Sequence, residues 1–112
     1  MSAIDANSIP SVNVMVKRVQ AASETIIALG GDLRIGRAGE VFQMLSAAAN
    51  TGSVVVIDAA EVGKIDAAGL QTIVAATMRF RAADVQWRWR NQSPALISAA
   101  KMLGLEEALE LR

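Results

Sequence analysis

Apolar side chains recur along this chain with two different periods, and the switches between them mark out its elements. Val12, Val14 and Val16 alternate with Asn13, Met15 and Lys17, which is the period of a half-buried strand. Ala21 to Ser23 predicts a turn, and Thr25 to Leu29 a second strand that closes an antiparallel hairpin with the first. Gly30-Gly31-Asp32 breaks that strand and turns the chain toward a helix. From Gly36 to Ala49, the residues Val41, Phe42, Leu45, Ala48 and Ala49 fall near one face of a 3.6-residue helix, which Asn50, Thr51 and Gly52 end. Val54 to Ile57 is β-branched and apolar throughout, as expected of a central strand covered on both faces. Ala67 to Arg81 predicts a second helix, with Leu70, Ile73, Val74, Thr77 and Phe80 on its apolar stripe and Arg79 and Arg81 off it. Val85 to Arg90 alternates strictly, placing Val85, Trp87 and Trp89 on one face and Gln86, Arg88 and Arg90 on the other. Ser93 and Pro94 supply a cap and a first-turn proline for a third helix, striped by Leu96, Ile97, Ala100 and Leu103 and stopped by Gly104. Leu105, Leu109 and Leu111 predict one more short helical turn, with Glu106, Glu107 and Glu110 toward water.

Two strands followed by helix, strand, helix, strand and helix predict an α/β fold. Its last three strands are joined by right-handed parallel crossovers, and the hairpin contributes an antiparallel strand, so the sheet is mixed. The polar, small residues 1–11 read as a flexible leader and 12–112 as a single domain. A chain of 112 residues with 53% hydrophobic content is ample for one packed core.

Charge and composition then narrow the function. Eleven basic and eleven acidic residues cancel, so no long-range field draws the protein to nucleic acid or anionic lipid. With neither cysteine nor histidine, the chain lacks a disulfide framework, the commonest transition-metal ligands and the usual general base. Met1 to Pro10 lacks the basic region and apolar core of a signal peptide, and no apolar run approaches the length of a bilayer span. A cytoplasmic protein without direct membrane insertion is the expectation. The edge of the hairpin is open to pairing with a second copy, or is guarded by Lys17 and Arg18; the sequence leaves both open.

The candidate site is the unit Val54-Val55-Val56-Ile57-Asp58 followed by Lys64-Ile65-Asp66-Ala67-Ala68-Gly69-Leu70, which reads as a buried strand, a short loop and an acid-capped helix. Asp66 stands where a carboxylate accepts from free backbone N–H groups and opposes the positive end of the helix dipole. Ala68 occupies the first turn, where a phosphorylated hydroxyl would meet helix N–H groups, and alanine carries no such group. Gly69 either lets the helix approach the sheet closely or leaves a flat surface for a partner's backbone.

Other motifs have blander readings. Gly30-Gly31-Asp32 lacks the spacing of a nucleotide-binding glycine loop. In Trp87-Arg88-Trp89-Arg90, alternation sends tryptophans and arginines to opposite faces, which suits core aromatics and solvated cations better than base stacking. Asp58, Glu61 and Asp66 cluster near a strand end without the ligand pattern of a calcium loop, so no metal and no cofactor are assigned.

Taken together, Leu29-Gly30-Gly31-Asp32-Leu33, Val54 to Asp58, Ile65 to Leu70, and Ser93-Pro94-Ala95-Leu96 through Met102-Leu103-Gly104-Leu105 resemble, in that order, the STAS domains of bacterial anti-sigma-factor antagonists. The resemblance runs from about Thr25 to Leu111. It implies a STAS-like mixed sheet of four to five strands with packed helices. It also implies a non-enzymatic interaction module, binding a kinase-like anti-sigma factor or a chemotaxis-type signalling protein. In that family a kinase phosphorylates a hydroxyl in the signature Asp-Ser-Ser-Gly-Leu or Asp-Thr-x-Gly-Leu. Here Asp66, Gly69 and Leu70 match, while the hydroxyl positions fall on Ala67 and Ala68, with Ala68 the lost phosphoacceptor position. The implied partner-binding residues are Asp32, Lys64, Asp66, Ala67, Ala68, Gly69 and Leu70. Thr72 lies a helical turn past the motif and Ser93 is explained as a cap, so neither replaces the missing hydroxyl. Some proteins of this kind are accessory subunits of lipid-transport ATPases on the cytoplasmic side, and this is the alternative role.

Overall fold

The computed structural model describes residues 23–111. In chain order they form β1 (Glu24–Ala28), β2 (Asp32–Leu33), α1 (Ile35–Ala49), β3 (Val54–Ala59), β4 (Lys64–Ile65), α2 (Ala67–Ala82), β5 (Trp87–Gln92) and α3 (Pro94–Leu103). The strand expected at Val12 to Val16, the hairpin it would close and the leader 1–11 lie outside the described residues.

Among the described residues every strand pairing is parallel. The main sheet has the order β1-β3-β5, and β2 and β4 make a separate two-stranded ladder. The mixed sheet of four to five strands is thus reduced here to three parallel strands, because its antiparallel member was assigned to residues 12–16. Neither β2 nor β4 was expected. The sequence presents Asp32 as part of a turn and Lys64-Ile65 as a loop, since a two-residue strand carries no period to detect.

The β-branched run of β3 forms the centre of the main sheet, as its composition predicts, in register with Ile26, Ile27 and Ala28 of β1 and with Trp87, Arg88 and Trp89 of β5. Cover on both faces takes an asymmetric form. Val55, Ile57 and Ala59 join a core built with Val41, Leu45 and Ala48 of α1, Leu70, Ile73 and Phe80 of α2, and Leu96 and Ala100 of α3. Val56 is equally buried but lies on the other face, outside that cluster, between Ile26 and Arg88. On that face ion pairs Arg88–Glu24 (2.8 Å) and Arg90–Asp58 (3.8 Å) flank the apolar centre.

Helix ends explain where the remaining boundaries fall. Ser93 Oγ accepts from Leu96 N–H, and Gly104, at φ +70°, closes α3 with its own N–H and that of Leu105 donating to Lys101 and Ala100 carbonyls. That is a left-handed glycine stop, as the sequence indicates. The end of α2 uses the same geometry with a different residue. Asp84 takes the left-handed position (φ 61°), and Val85 N–H donates to Phe80 O. Val85 is thereby spent on the cap, and β5 begins two residues later than the alternation suggested, running to Gln92. An extra residue, Arg90, bulges from β5, since Ile57 pairs with Trp89 and Asp58 with Asn91.

The tryptophans behave as core residues. Trp87 and Trp89 pack against the cluster, edge to face at 5.9 Å, while Arg88 and Arg90 are exposed. Beyond α3 the expected helical turn is instead a run of turns over Glu106 to Glu110, with Glu110 at φ 56°. It still buries Leu109 completely, and Trp89 Nε1–H donates to Leu109 O at 2.8 Å.

Candidate functional site

The β2–β4 ladder determines the geometry of the site. β2 runs directly into α1 and β4 directly into α2, so pairing Asp32 with Lys64 and Leu33 with Ile65 sets the two helix N-termini side by side. Asp66 lies between them. Its Oδ1 accepts from Gly69 N–H at 2.8 Å, capping α2, and its Oδ2 accepts from Ile35 N–H at 3.0 Å. The residue at the N-cap of α1, Arg34, gives that helix no side-chain cap, so Asp66 supplies one from across the fold. The Gly69 N–H, then the Ile35 N–H, hold the Asp66 carboxyl below the usual carboxylate range.

Gly69 resolves the choice left by the sequence. A Cβ there would stand 1.9 Å from the backbone oxygen of Leu33, so the glycine serves the close approach of α2 to β2. Gly69 is buried, and Leu70 is fully buried in the core. Both therefore correct the expectation that the whole signature faces a partner: they are the floor of the site rather than its surface. Leu70 belongs to the apolar stripe of α2, and that pattern governs its direction.

What does reach solvent is compact. Ala67 and Lys64 are exposed, and Ala68 and Asp66 are half-buried. Two residues missed in the sequence join them. Ile35, the first residue of α1, is 72% exposed, and Arg34 grips Asp32 through two hydrogen bonds of 2.9 Å. The Arg34 guanidinium lowers the Asp32 carboxyl, and Lys64 adds to the effect, so these charges share one neighbourhood. Asp32, Arg34, Ile35, Gly36, Arg37 and Asp66 line a hollow of about 330 Å³. Arg37 braces it from beneath, donating to Leu29 O (2.9 Å) and Asp32 O (3.1 Å) on either side of the Gly30-Gly31 turn, where Gly30 has φ +80°. Ile35 lies seven residues before Phe42, at the edge of the apolar stripe of its own helix, so periodicity gave no signal of its exposure.

The groups that carry chemistry elsewhere are engaged here. Both Asp66 oxygens are occupied by backbone N–H groups, and Thr72 Oγ1 donates to Ala68 O at 2.8 Å. Asp58 accepts from Ala60 N–H and from Asn91, so it and Asp66 serve separate local structures. The first turn of α2 offers methyl groups at both positions of the signature where a hydroxyl would stand. No helix among the described residues is long and apolar enough to cross a membrane.

The same fold occurs in a sulfate transporter family protein from Wolinella succinogenes, which superposes with a TM-score of 0.65 at 22% identity, covering 77% of this chain and 70% of that one. No curated protein matches the sequence. A family model described as "Mlab, STAS domain" matches residues 16–111, which contain β1 through α3 and the whole of the shared helix-capping site. On that match, the chain belongs to the STAS domain family.

Proposed function

We propose that this chain is a non-enzymatic docking module that holds a protein partner against the surface formed by Asp32, Lys64, Asp66, Ala67 and Ala68, and that it does so in one permanent state. The observation that carries this reading is the pair of methyl groups, Ala67 and Ala68, at the first turn of a helix whose capping carboxylate already accepts from two helix N–H groups. Nothing there accepts a phosphate, so regulation comes from the partner, its abundance or another site. The signature's likeness to anti-sigma-factor antagonists favours a kinase-like or chemotaxis-type signalling protein as partner. A second reading, an accessory subunit of a lipid-transport ATPase, is favoured by the same missing hydroxyl, because a standing subunit needs no switch. Both readings place the protein in the cytoplasm.

Affinity capture from the host with mass spectrometry, using wild type beside Ala68→Glu, tests the proposal. The expected result is one partner recovered by wild type and lost in the glutamate variant, its identity choosing between signalling protein and transporter ATPase. Equal recovery by both chains would remove the surface from consideration.

A further inference from the structure

Resting on the docking reading, we propose that this surface recognises an acidic segment of its partner that inserts an apolar side chain beside Ile35 and sets a carboxylate against Lys64. Ile35 is the most exposed of the large aliphatic side chains around the site, and its backbone is fixed by the bond to Asp66. A β-branched side chain on a fixed backbone has few rotamers to lose, so ordering it on binding costs little. Ala67 and Ala68 add methyl groups to the surface, and the hollow beside Ile35 is rimmed by Asp32, Arg34, Arg37 and Asp66. That is the anatomy of a small interface with a single anchor.

The charge of the segment follows from what is already neutralised. Asp32 is paired with Arg34, and Arg37 is bonded to Glu40 and to two carbonyl oxygens. Asp66 faces two helix N-termini, which together carry roughly one unit of positive charge, so its own charge is offset. Glu61 lines a separate hollow with Asp58 and Gly30. Among the described residues Lys64 has no ion-pair partner, and it is exposed. The uncompensated charge at this surface is therefore positive, and an acidic segment complements it while a basic one is repelled.

The test uses the full chain as bait in host extract with a carbodiimide, which joins an amine directly to a carboxylate in contact with it. The expected result is an amide between Lys64 and an Asp or Glu of the captured protein that has a large apolar residue within about one helical turn of it in sequence. Ile35→Ala should reduce recovery of that same protein at least about tenfold, as loss of an anchor does. Lys64→Glu should reduce it severalfold, and Met102→Asp, on the exposed side of α3, should leave it unchanged. Recovery of a protein without the Lys64 cross-link, or undiminished recovery by Ile35→Ala and Lys64→Glu while Ala68→Glu fails, overturns this inference and leaves the docking reading standing. Undiminished recovery by Ala68→Glu instead defeats the docking reading first. Matching thermal midpoints for all variants separate loss of contact from loss of fold.

Discussion

Asp66 and Ile35 stand 31 positions apart, and the hydrogen bond from the Ile35 backbone N–H to Asp66 Oδ2 makes one carboxylate the cap of two helices. The arrangement depends on the short β2–β4 ladder, which brings the ends of Leu33 and Ile65 together and so fixes where α1 and α2 begin. Asp66 is thus first a structural fastener. It holds the first turns of α1 and α2 in place.

Replacing Asp66 should therefore act on the whole fold. Asp66→Ala leaves two N–H groups without their acceptor and two helix dipoles unopposed, and the thermal midpoint should fall by about 10 °C. Asp66→Asn keeps an acceptor for one N–H but not the charge, and should fall by roughly half as much. Scanning calorimetry on the three chains checks the order. An alanine variant as stable as wild type would show that the double cap contributes nothing.

Acid should reveal the same group. Asp66, held low by the Gly69 and Ile35 N–H groups, has a native pKa below its unfolded value, so it contributes stability that is present above the unfolded pKa and lost as pH falls through the native one. Asp32, lowered by Arg34, and Asp58, lowered by Ala60 N–H and then Asn91, act in the same direction. The urea midpoint should be flat from about pH 7 to pH 5 and decline below about pH 4. Asp66→Asn should decline less steeply there, and an identical slope would assign the acid sensitivity to other groups.

Two glycines should respond to alanine in opposite ways. At Gly69 the new Cβ meets the Leu33 backbone oxygen at 1.9 Å, so α2 must move off β2, and the cost should reach about 3 kcal/mol or more. At Gly39, inside α1, a Cβ meets nothing within 4 Å, and the gain in helix propensity should stabilise by about 0.5–1 kcal/mol. Urea denaturation of both variants measures the contrast. Tolerance of Gly69→Ala would mean that α2 is not seated on β2 as described.

The sequence revealed what is locally encoded and obscured what depends on distant partners. Ser93, Pro94 and Gly104 bracket α3 because caps are chosen by the residues beside them. The end of α2 was obscured because Asp84 fills a left-handed position where glycine is the usual signal, which moved β5 by two residues. Asp66 was readable as the cap of α2 from its own segment, but its reach to Ile35 depends on a ladder too short to show a pattern. The family signature implies a partner-facing Leu70, whereas its position on the α2 stripe points it inward, where it is fully buried. Periodicity, rather than the signature, was the guide to direction.

The C-terminal turns offer the last test, because they close the core over β5 and tie it to Arg81 of α2 through Ala108 O and Glu110. Trp89 donates through Nε1 to Leu109 O, and Leu109 is fully buried beneath the turns that follow α3. Trp89→Phe keeps most of the aromatic packing but leaves the Leu109 carbonyl without that donor, and should cost about 1–2 kcal/mol. Leu109→Ala empties a buried site and should cost about 2–5 kcal/mol. If the bond and the buried leucine act as one latch, the double variant should cost less than the sum of the two, because the first loss already frees the segment. Chemical denaturation of the four chains completes that cycle. Strict additivity would show that the tryptophan and the leucine stabilise the core independently.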